Sequence, residues 1–535
     1  MNHLYFADCL DVLKELKRNH PEPFIDLIYI DPPFNSKRNY NVLFESIDMH
    51  DANAQKQAFA DTWSDYSYID ELNEIATLHK DLYDVLTLFH KLKSISDSAT
   101  AYLTTMAIRI WYMHKLLKDT GSFYLHCDPT MSHYLKLVCD MVFGEKNFRN
   151  DIVWQRTGAH SDSKTFANNT DNILFYSKSK KINFNTQYQP YSEEYLKRYK
   201  FSDSKGQYLD RDLTAGGLSG GGYDYEWKGI RKIWRCPIET MLRYEKEDKI
   251  YYTKNGTPRL KQYLNEMEGV QCTSVWTDLA PINSQSPERL GYPTQKPLAL
   301  LERIISASSN EGDIVADFFC GCGTTIAAAQ KLNRQWLGAD ISHLAVRLIT
   351  KRLTETYGLG IKHNIKIHGM PKDVASAREL AQNVEGGRIS FQDWAIEVML
   401  NGVVNEKKTA DGGYDGYLTF NSHAGKQFAL IETKSGKLTV KNLREFVHVI
   451  DKEKAALGVF VCFAENVTRE MAKTAKEAGH IKIGEVGFPI DRIQIITIEE
   501  LMNNKQPMLP MAVENETFKK AKRNDEKEVS KGLFD

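Results

Sequence analysis

The stretch GDIVADFFCGCGTTIAAA, residues 312–329, decides the reading of this chain. A short apolar run ends at Asp317, two glycines follow within three positions, and TTIAAA then continues without a breaker, so the order is strand, tight loop, helix. Glycines at 321 and 323 let the backbone come close to a bound molecule. The next run, RQWLGADI (334–341), reads as a second strand ending in Asp340, about twenty residues on, where an acidic residue commonly grips ribose hydroxyls. Strand, glycine loop, helix, strand and acid in this order point to an adenosine-containing cofactor. A dinucleotide is disfavoured, because there is no third glycine at the usual spacing and no second mononucleotide-binding half.

Working outward, FIDLIYI (24–30) and GSFYLH (121–126) are strand-like runs carrying several consecutive apolar residues, and AIRIWYMHKLL (107–117) has helical spacing. Strands without polar alternation belong to a mainly parallel sheet covered on both faces. Strands of this type return at 312–319 and 334–341, so the first sheet closes only after residue 330. The region from about 155 to 275 is then an insertion, with a glycine loop in TAGGLSGGGYDYEW (214–227). After YGLGIKHN a second, smaller α/β unit begins. Its order is a helix at ISFQDWAIEVML (389–400), TADGGYDGYLTF, the strand FALIETK (428–434), a helix near 440–456 and the strand ALGVFVCF. The expected boundaries are 1–154, 155–275, 276–358, 388–505 and a charged tail over 506–535. The segment 45–100 reads as helical, with no role assigned.

Composition narrows the class. With 69 Lys+Arg, 70 Asp+Glu and 42% hydrophobic residues, the 535-residue chain is neither disordered nor collagen-like. No apolar run approaches the roughly 18 to 20 residues of a spanning helix. Asp8 and Asp11 stand where a signal peptide would be apolar, so a cytoplasmic protein without a membrane partner is expected. Of eight cysteines only Cys320 and Cys322 are close, with no second pair to complete a zinc site, so free thiols are expected. A net charge of −1 leaves any nucleic-acid binding to local patches.

Asp31-Pro32-Pro33-Phe34 follows the strand IDLIYI, where open parallel sheets place ligands beyond the carboxyl ends of their strands. Two prolines stiffen the loop and remove amide donors, leaving carbonyl acceptors, a carboxylate and the flat face of Phe34. Such a loop suits a planar group carrying an NH2, as on a nucleobase. The Asp31 carboxylate and the Pro32 carbonyl would accept its two hydrogens, raising electron density on the nitrogen.

DPPF, YPTQKPLALLERIISASSNEGDIVADFFCGCGTTIAAA (292–329) and GSFYLHCDPTMSHYLK (121–136) together resemble the beta class of DNA amino-methyltransferases. In that class the catalytic motif precedes the cofactor motif and a target-recognition region lies between them. The resemblance covers about residues 1 to 358. It implies a Rossmann-like class I S-adenosylmethionine-dependent fold with circularly permuted motifs, the strand at 313–318 central and the DPPF strand beside it. By the same resemblance S-adenosylmethionine is the cofactor. Phe319, Gly321 and Gly323 would wrap its amino-acid end, Asp340 its ribose and Asp8 its adenine amine, and Thr294 and Lys296 would lie near its carboxylate. Asp128 fits the pattern with its role open between site and structure. Phe318 departs from it, since the family usually has proline there.

The implied reaction is methyl transfer to a base flipped out of double-stranded DNA. The DPPF form resembles the branch that modifies the N6 amine of adenine. N4-cytosine methylation, and a DNA-binding or sensing module without chemistry, stand as alternatives. No Pro-Cys pair stands in the catalytic position, so a cysteine nucleophile is not expected. Between Trp227 and Lys261, ten Lys+Arg against four Asp+Glu interleave with Trp234, Tyr244, Tyr251 and Tyr252, a mixture suited to phosphate contact and base stacking. A homodimer is compatible with the sequence.

In the C-terminal unit Asp415 precedes Glu432-Thr433-Lys434, and strand alternation puts Glu432 and Lys434 on one face. Two carboxylates can hold Mg2+, and a lysine beside the metal can orient or activate water for attack on a phosphodiester. The segment 388–500 resembles the PD-(D/E)xK fold of Mrr-like restriction endonucleases, which implies Asp415 and Glu432 as metal ligands and Lys434 as catalytic, with Glu397 a candidate fourth acid. The whole chain then resembles a restriction and modification protein.

Overall fold

The computed structural model describes residues 2–33, 68–92, 94–158, 165–215, 222–283, 285–290, 292, 294–382, 387–405, 413–422, 425–481 and 489–510. Phe34, residues 45–67, the glycines at 216–221 and the tail from 511 lie outside them. No described helix is long and apolar enough to cross a membrane.

The main sheet has nine strands: β1 (Asn2–Phe6), β2 (Ile25–Ile30), β3 (Leu117–Cys127), β4 (Phe148–Gln155), β5 (Thr170–Ser177), β6 (Val275–Trp276), β7 (Ile314–Asp317), β8 (Gln335–Asp340) and β9 (Ile365–His368). Their order is β6-β4-β5-β3-β2-β7-β8-β1-β9. Only β5 runs against the others. β7 pairs directly with the DPPF strand, Val315 opposite Leu27 and Ala316 opposite Ile28.

The reason FIDLIYI carries no polar alternation is visible in its two cores. Ile28 and Ile30 pack with Leu103, Met106 and Leu135 from α4 (Asp97–Leu116) and α5 (Ser132–Phe143). Leu27 and Tyr29 face the other way, toward Leu301, Ile326 and Ile349 from α6 (Leu298–Ser308), α7 (Thr324–Lys331) and α8 (His343–Tyr357). α1 (Cys9–Asn19), α2 (Ile69–Leu78) and α3 (Lys80–Lys91) complete the first layer. The 45–100 segment thus contributes packing over its described part, and Glu74 of α2 binds Lys14 at 2.6 Å and Tyr112 at 2.6 Å.

The expected insertion began at 155, but β5 at 170–177 is a strand of the main sheet. The separate compact unit runs from Thr186 to Thr273. It holds a four-stranded antiparallel sheet, a hairpin (Tyr223–Trp227 with Ile230–Trp234) and the helix Ile238–Lys246 around Leu213, Trp227, Trp234, Met241 and Ile250. Trp234 is wholly buried and its Nε1 donates to the Tyr225 carbonyl at 2.9 Å, so it is core and cannot stack on bases. Five of the ten basic residues are engaged within the unit by acids: Lys228, Arg231, Lys249, Arg259 and Lys261.

The C-terminal sheet is β10 (Val403–Val404), β11 (Gly416–Ser422), β12 (Gly425–Lys434), β13 (Leu457–Cys462) and β14 (Ile493–Thr497), in that order. The first two pairings are antiparallel and the last two parallel. One face is covered by Leu443 and Phe446 of α9 (Val440–Lys452) and Met471 of α10 (Arg469–Glu477), the other by Phe391, Trp394 and Ile396.

Candidate active site

The carboxyl ends of β1, β2, β7 and β8 meet around one cavity. Its walls include Asp8, Asp31, Pro33, Thr294, Lys296, Phe319, Gly321 and Asp340, gathered from positions more than 300 residues apart. Tyr29, Thr105, Arg109, Tyr292, Asp317, Ile341 and Ser342 also face it, and none of these carried a site role in the sequence reading. Arg109 had a signal: a guanidinium inside an otherwise apolar helix needs a buried partner.

The loop after β7 is held by its own carboxylates. Asp317 accepts from Phe319 N at 3.0 Å and from Thr325 Oγ1 at 2.5 Å, and Asp340 accepts from Gly321 N at 2.8 Å and Ser342 N at 2.9 Å. Gly321 has φ +48°, and a Cβ there would lie 3.3 Å from the Tyr292 ring. Gly323, with φ +74°, serves packing: its absent side chain would meet Ile349 Cγ1 of α8 at 2.5 Å. Gly323→Ala is therefore expected to cost about 2 kcal/mol, from the left-handed backbone and the clash with a buried isoleucine. Denaturant unfolding checks it, and an unchanged midpoint overturns the packing argument. Phe318, the departure from the family pattern, is 1% exposed and fills the core beneath the loop.

Burial pushes the Asp317 carboxyl up to about 7 and that of Asp340 up to about 6. The folded chain therefore holds protons that the unfolded chain releases near pH 4. These two groups favour the folded state at low pH, and their contribution is lost as pH rises from about 4 to 7. Urea unfolding of the cofactor-free chain at several pH values should show this slope, and Asp317→Asn together with Asp340→Asn should flatten it.

Two ion pairs line the same cavity. Lys296, expected beside a cofactor carboxylate, instead binds Asp31 Oδ2, with both side chains largely buried. Asp8 caps α1 through Leu10 N at 2.7 Å and takes both oxygens to Arg109 Nη2, at 2.9 and 3.1 Å. Arg109 also donates to Glu71 of α2 at 2.8 Å, and despite its burial these carboxylates keep it charged. Arg109→Met should destabilise the chain by about 3 to 5 kcal/mol, because two carboxylates lose one buried cation. Calorimetric melting tests this, and a shift no larger than that of an exposed arginine variant rejects it. Asp128 accepts from Thr130 Oγ1 at 2.8 Å and Met131 N at 3.2 Å, a structural role at the turn before α5.

In the C-terminal domain Asp415, Glu432 and Lys434 converge. Asp415 Oδ2 accepts from Thr433 N at 2.6 Å and from Thr433 Oγ1 at 2.9 Å, and Lys434 binds Glu432 across one face of β12. Burial and the neighbouring Asp415 charge push the Glu432 carboxyl up to about 7. Glu397 lies on a π-helical turn, Trp394–Met399, whose carbonyl at Glu397 accepts from Arg347 of α8 at 2.8 Å. The structure sets Glu397 beside that arginine.

Residues 25–351, more than half of the chain, match the N6/N4 family described as DNA methylase. The chain belongs to the DNA methylase family. Behind its methylase domain, residues 390–502 match the family described as restriction endonuclease, of the Mrr type. Among curated relatives, this methylase is 36% identical over 258 residues to the type II methyltransferase M.EcaI of Enterobacter cloacae, covering 47% of this chain and 57% of that one. It is 30% identical over 356 residues to the Mod subunit of the type III restriction-modification enzyme StyLTI of Salmonella typhimurium strain LT2, covering 62% and 50%. The chain thus spans about half the length of these relatives. A solved structure of an M1.HpyAVI–SAM complex aligns at 16% identity and TM-score 0.31, covering 66% of this chain and 99% of that one.

Proposed function

We propose that the methylase domain transfers a methyl group from S-adenosylmethionine to the N6 amine of adenine in double-stranded DNA, and that the C-terminal domain is a Mg2+-dependent endonuclease. One arrangement carries the first half: Asp31 of the Asp31-Pro32-Pro33 loop and the Gly321–Asp340 loop pair wall the same cavity. The donor set fits the cofactor. Asp340 and Asp8 are carboxylate acceptors for a ribose diol and an adenine amine, Gly321 leaves room for close approach, and Thr294 suits a carboxylate.

When bound, S-adenosylmethionine supplies an electrophilic methyl group on a sulfonium. Asp31 and the Pro32 carbonyl accept the hydrogens of the flipped base's amine, and Phe34 is assigned the stacking face. Holding the amine this way aims its lone pair and raises its electron density, so direct in-line attack needs no covalent enzyme intermediate. Lys296 holds the Asp31 carboxylate in place. An aspartate rather than a serine at the head of the loop favours adenine over cytosine.

For the second half, the crowding of Asp415 and Glu432 is what a divalent cation relieves. No cluster of three or more His, Cys, Asp or Glu among the described residues forms a ready cage. Two carboxylates completed by water and phosphate suit Mg2+, with Lys434 orienting the attacking water. The deciding experiment incubates the purified chain with unmethylated DNA and tritiated S-adenosylmethionine, with and without Mg2+, followed by nucleoside analysis and a gel. Label in N6-methyladenine is expected. Label in N4-methylcytosine reassigns the substrate, and DNA binding without label overturns the enzyme reading in favour of a sensing module.

A further inference from the structure

Beneath the catalytic loop a row of polar side chains crosses the sheet. Tyr29 Oη on β2 lies 2.9 Å from His126 Nδ1 on β3, and His126 Nε2 lies 3.1 Å from Asp171 Oδ2 on β5. Asp171 Oδ1 is 3.1 Å from Arg156 Nε. Tyr29, His126 and Asp171 are all buried, and the Trp154 indole packs against the imidazole edge at a centroid distance of 5.9 Å. A polar chain in a sheet interior is costly unless satisfied, and apolar residues of equal volume usually serve stability as well or better. Its inner end suggests another use: Tyr29 lines the cavity, two residues before Asp31 and on the same face of the strand by alternation.

The tautomer follows from the row. Burial by itself would raise the Asp171 carboxyl, but the bond from His126, with Lys296 and Arg156 nearby, holds it below its usual range. The carboxylate therefore accepts, and His126 Nε2 carries the hydrogen. A neutral ring with that hydrogen makes Nδ1 an acceptor, so that Tyr29 donates its O–H to His126 rather than toward the cavity.

We propose that Tyr29 is an oriented hydrogen-bond acceptor that shares with the Pro32 carbonyl the amine hydrogen not taken by Asp31, and that His126, as a neutral ring with its hydrogen on Nε2, and Asp171 are the positioning residues that fix its hydroxyl. This rests on the methyl-transfer reading above. Asp171→Asn reverses the order, because an amide that donates to Nε2 places the imidazole hydrogen on Nδ1 and turns the tyrosine hydroxyl hydrogen into the cavity.

The test measures single-turnover methyl transfer by the full-length wild type, Tyr29→Phe, Asp171→Asn and the double variant. Melting temperature and calorimetric S-adenosylmethionine binding are measured in parallel, and 15N-histidine spectra of the wild type and Asp171→Asn report the His126 tautomer. His126→Gln assigns the resonance. Expected are a loss of about tenfold to a hundredfold in the transfer rate for each single variant, a double variant no slower than the slower single one, near-normal cofactor binding, and an Nε2–H tautomer that switches in Asp171→Asn. A wild-type rate in a folded Tyr29→Phe chain, additive losses, or an Nδ1–H tautomer in the wild type overturns the proposal while leaving the methyl-transfer reading intact. A wild type that transfers no label overturns both.

Discussion

Asp31→Ala is expected to lower the methyl-transfer rate by about 10³-fold, while DNA binding changes by no more than a few-fold and S-adenosylmethionine binding weakens. The substitution removes the charged acceptor for the amine. It also removes the carboxylate opposite Lys296, so an ammonium is left facing the cavity in which we propose the cationic sulfonium binds. Asp31→Asn separates these effects: it keeps the shape and one acceptor oxygen without the charge, and should fall between wild type and alanine. Single-turnover transfer of tritium to DNA gives the rate, and calorimetry gives the binding. An alanine variant within tenfold of the wild-type rate would remove Asp31 from the chemistry.

The second large effect belongs to the other domain. Lys434→Ala is expected to lower Mg2+-dependent cutting by about 10³-fold and to leave methyl transfer unchanged, because the lysine sits on β12 of a sheet with its own core. Lys434 binds Glu432, whose carboxyl is already pushed up by burial and by Asp415. Its removal therefore also weakens the ionised form that a metal requires. Lys434→Arg should recover little, since a planar guanidinium does not reproduce a compact ammonium beside the metal. Supercoiled and linear substrates carrying no methylation give the readout. Cutting that persists in the alanine variant would move the catalytic role elsewhere in the domain.

The two motifs that meet in the cavity were legible because each has a local physical reason. Asp31-Pro32-Pro33 lacks amide donors, and Gly321 keeps a backbone without a side chain beside Tyr292. Fold class was legible for a similar reason: β2 over 27–30 and β3 over 121–127 are buried on both faces, so consecutive apolar residues stand there without polar alternation. Less was legible where one residue serves two neighbours. Lys296 could be placed near the site but not on Asp31, 265 positions away in sequence. Trp234 read as a stacking surface because composition cannot distinguish an exposed aromatic from one that closes a small core.

What the sequence by itself determined is the order of elements and the identity of the reactive groups. Strand periodicity, glycine loops and prolines act over a few residues and leave their mark in the local string. What only the tertiary structure decided is which groups hold each other. Arg109 joins Asp8 to Glu71, and Tyr29 meets His126 and Asp171 across three strands. Those bonds form between residues 38 to 101 positions apart along the chain. Distance in sequence carries no direction in space until the parallel sheet has set strand order and register, and the charge of a buried group is settled only by the partner that arrives with it.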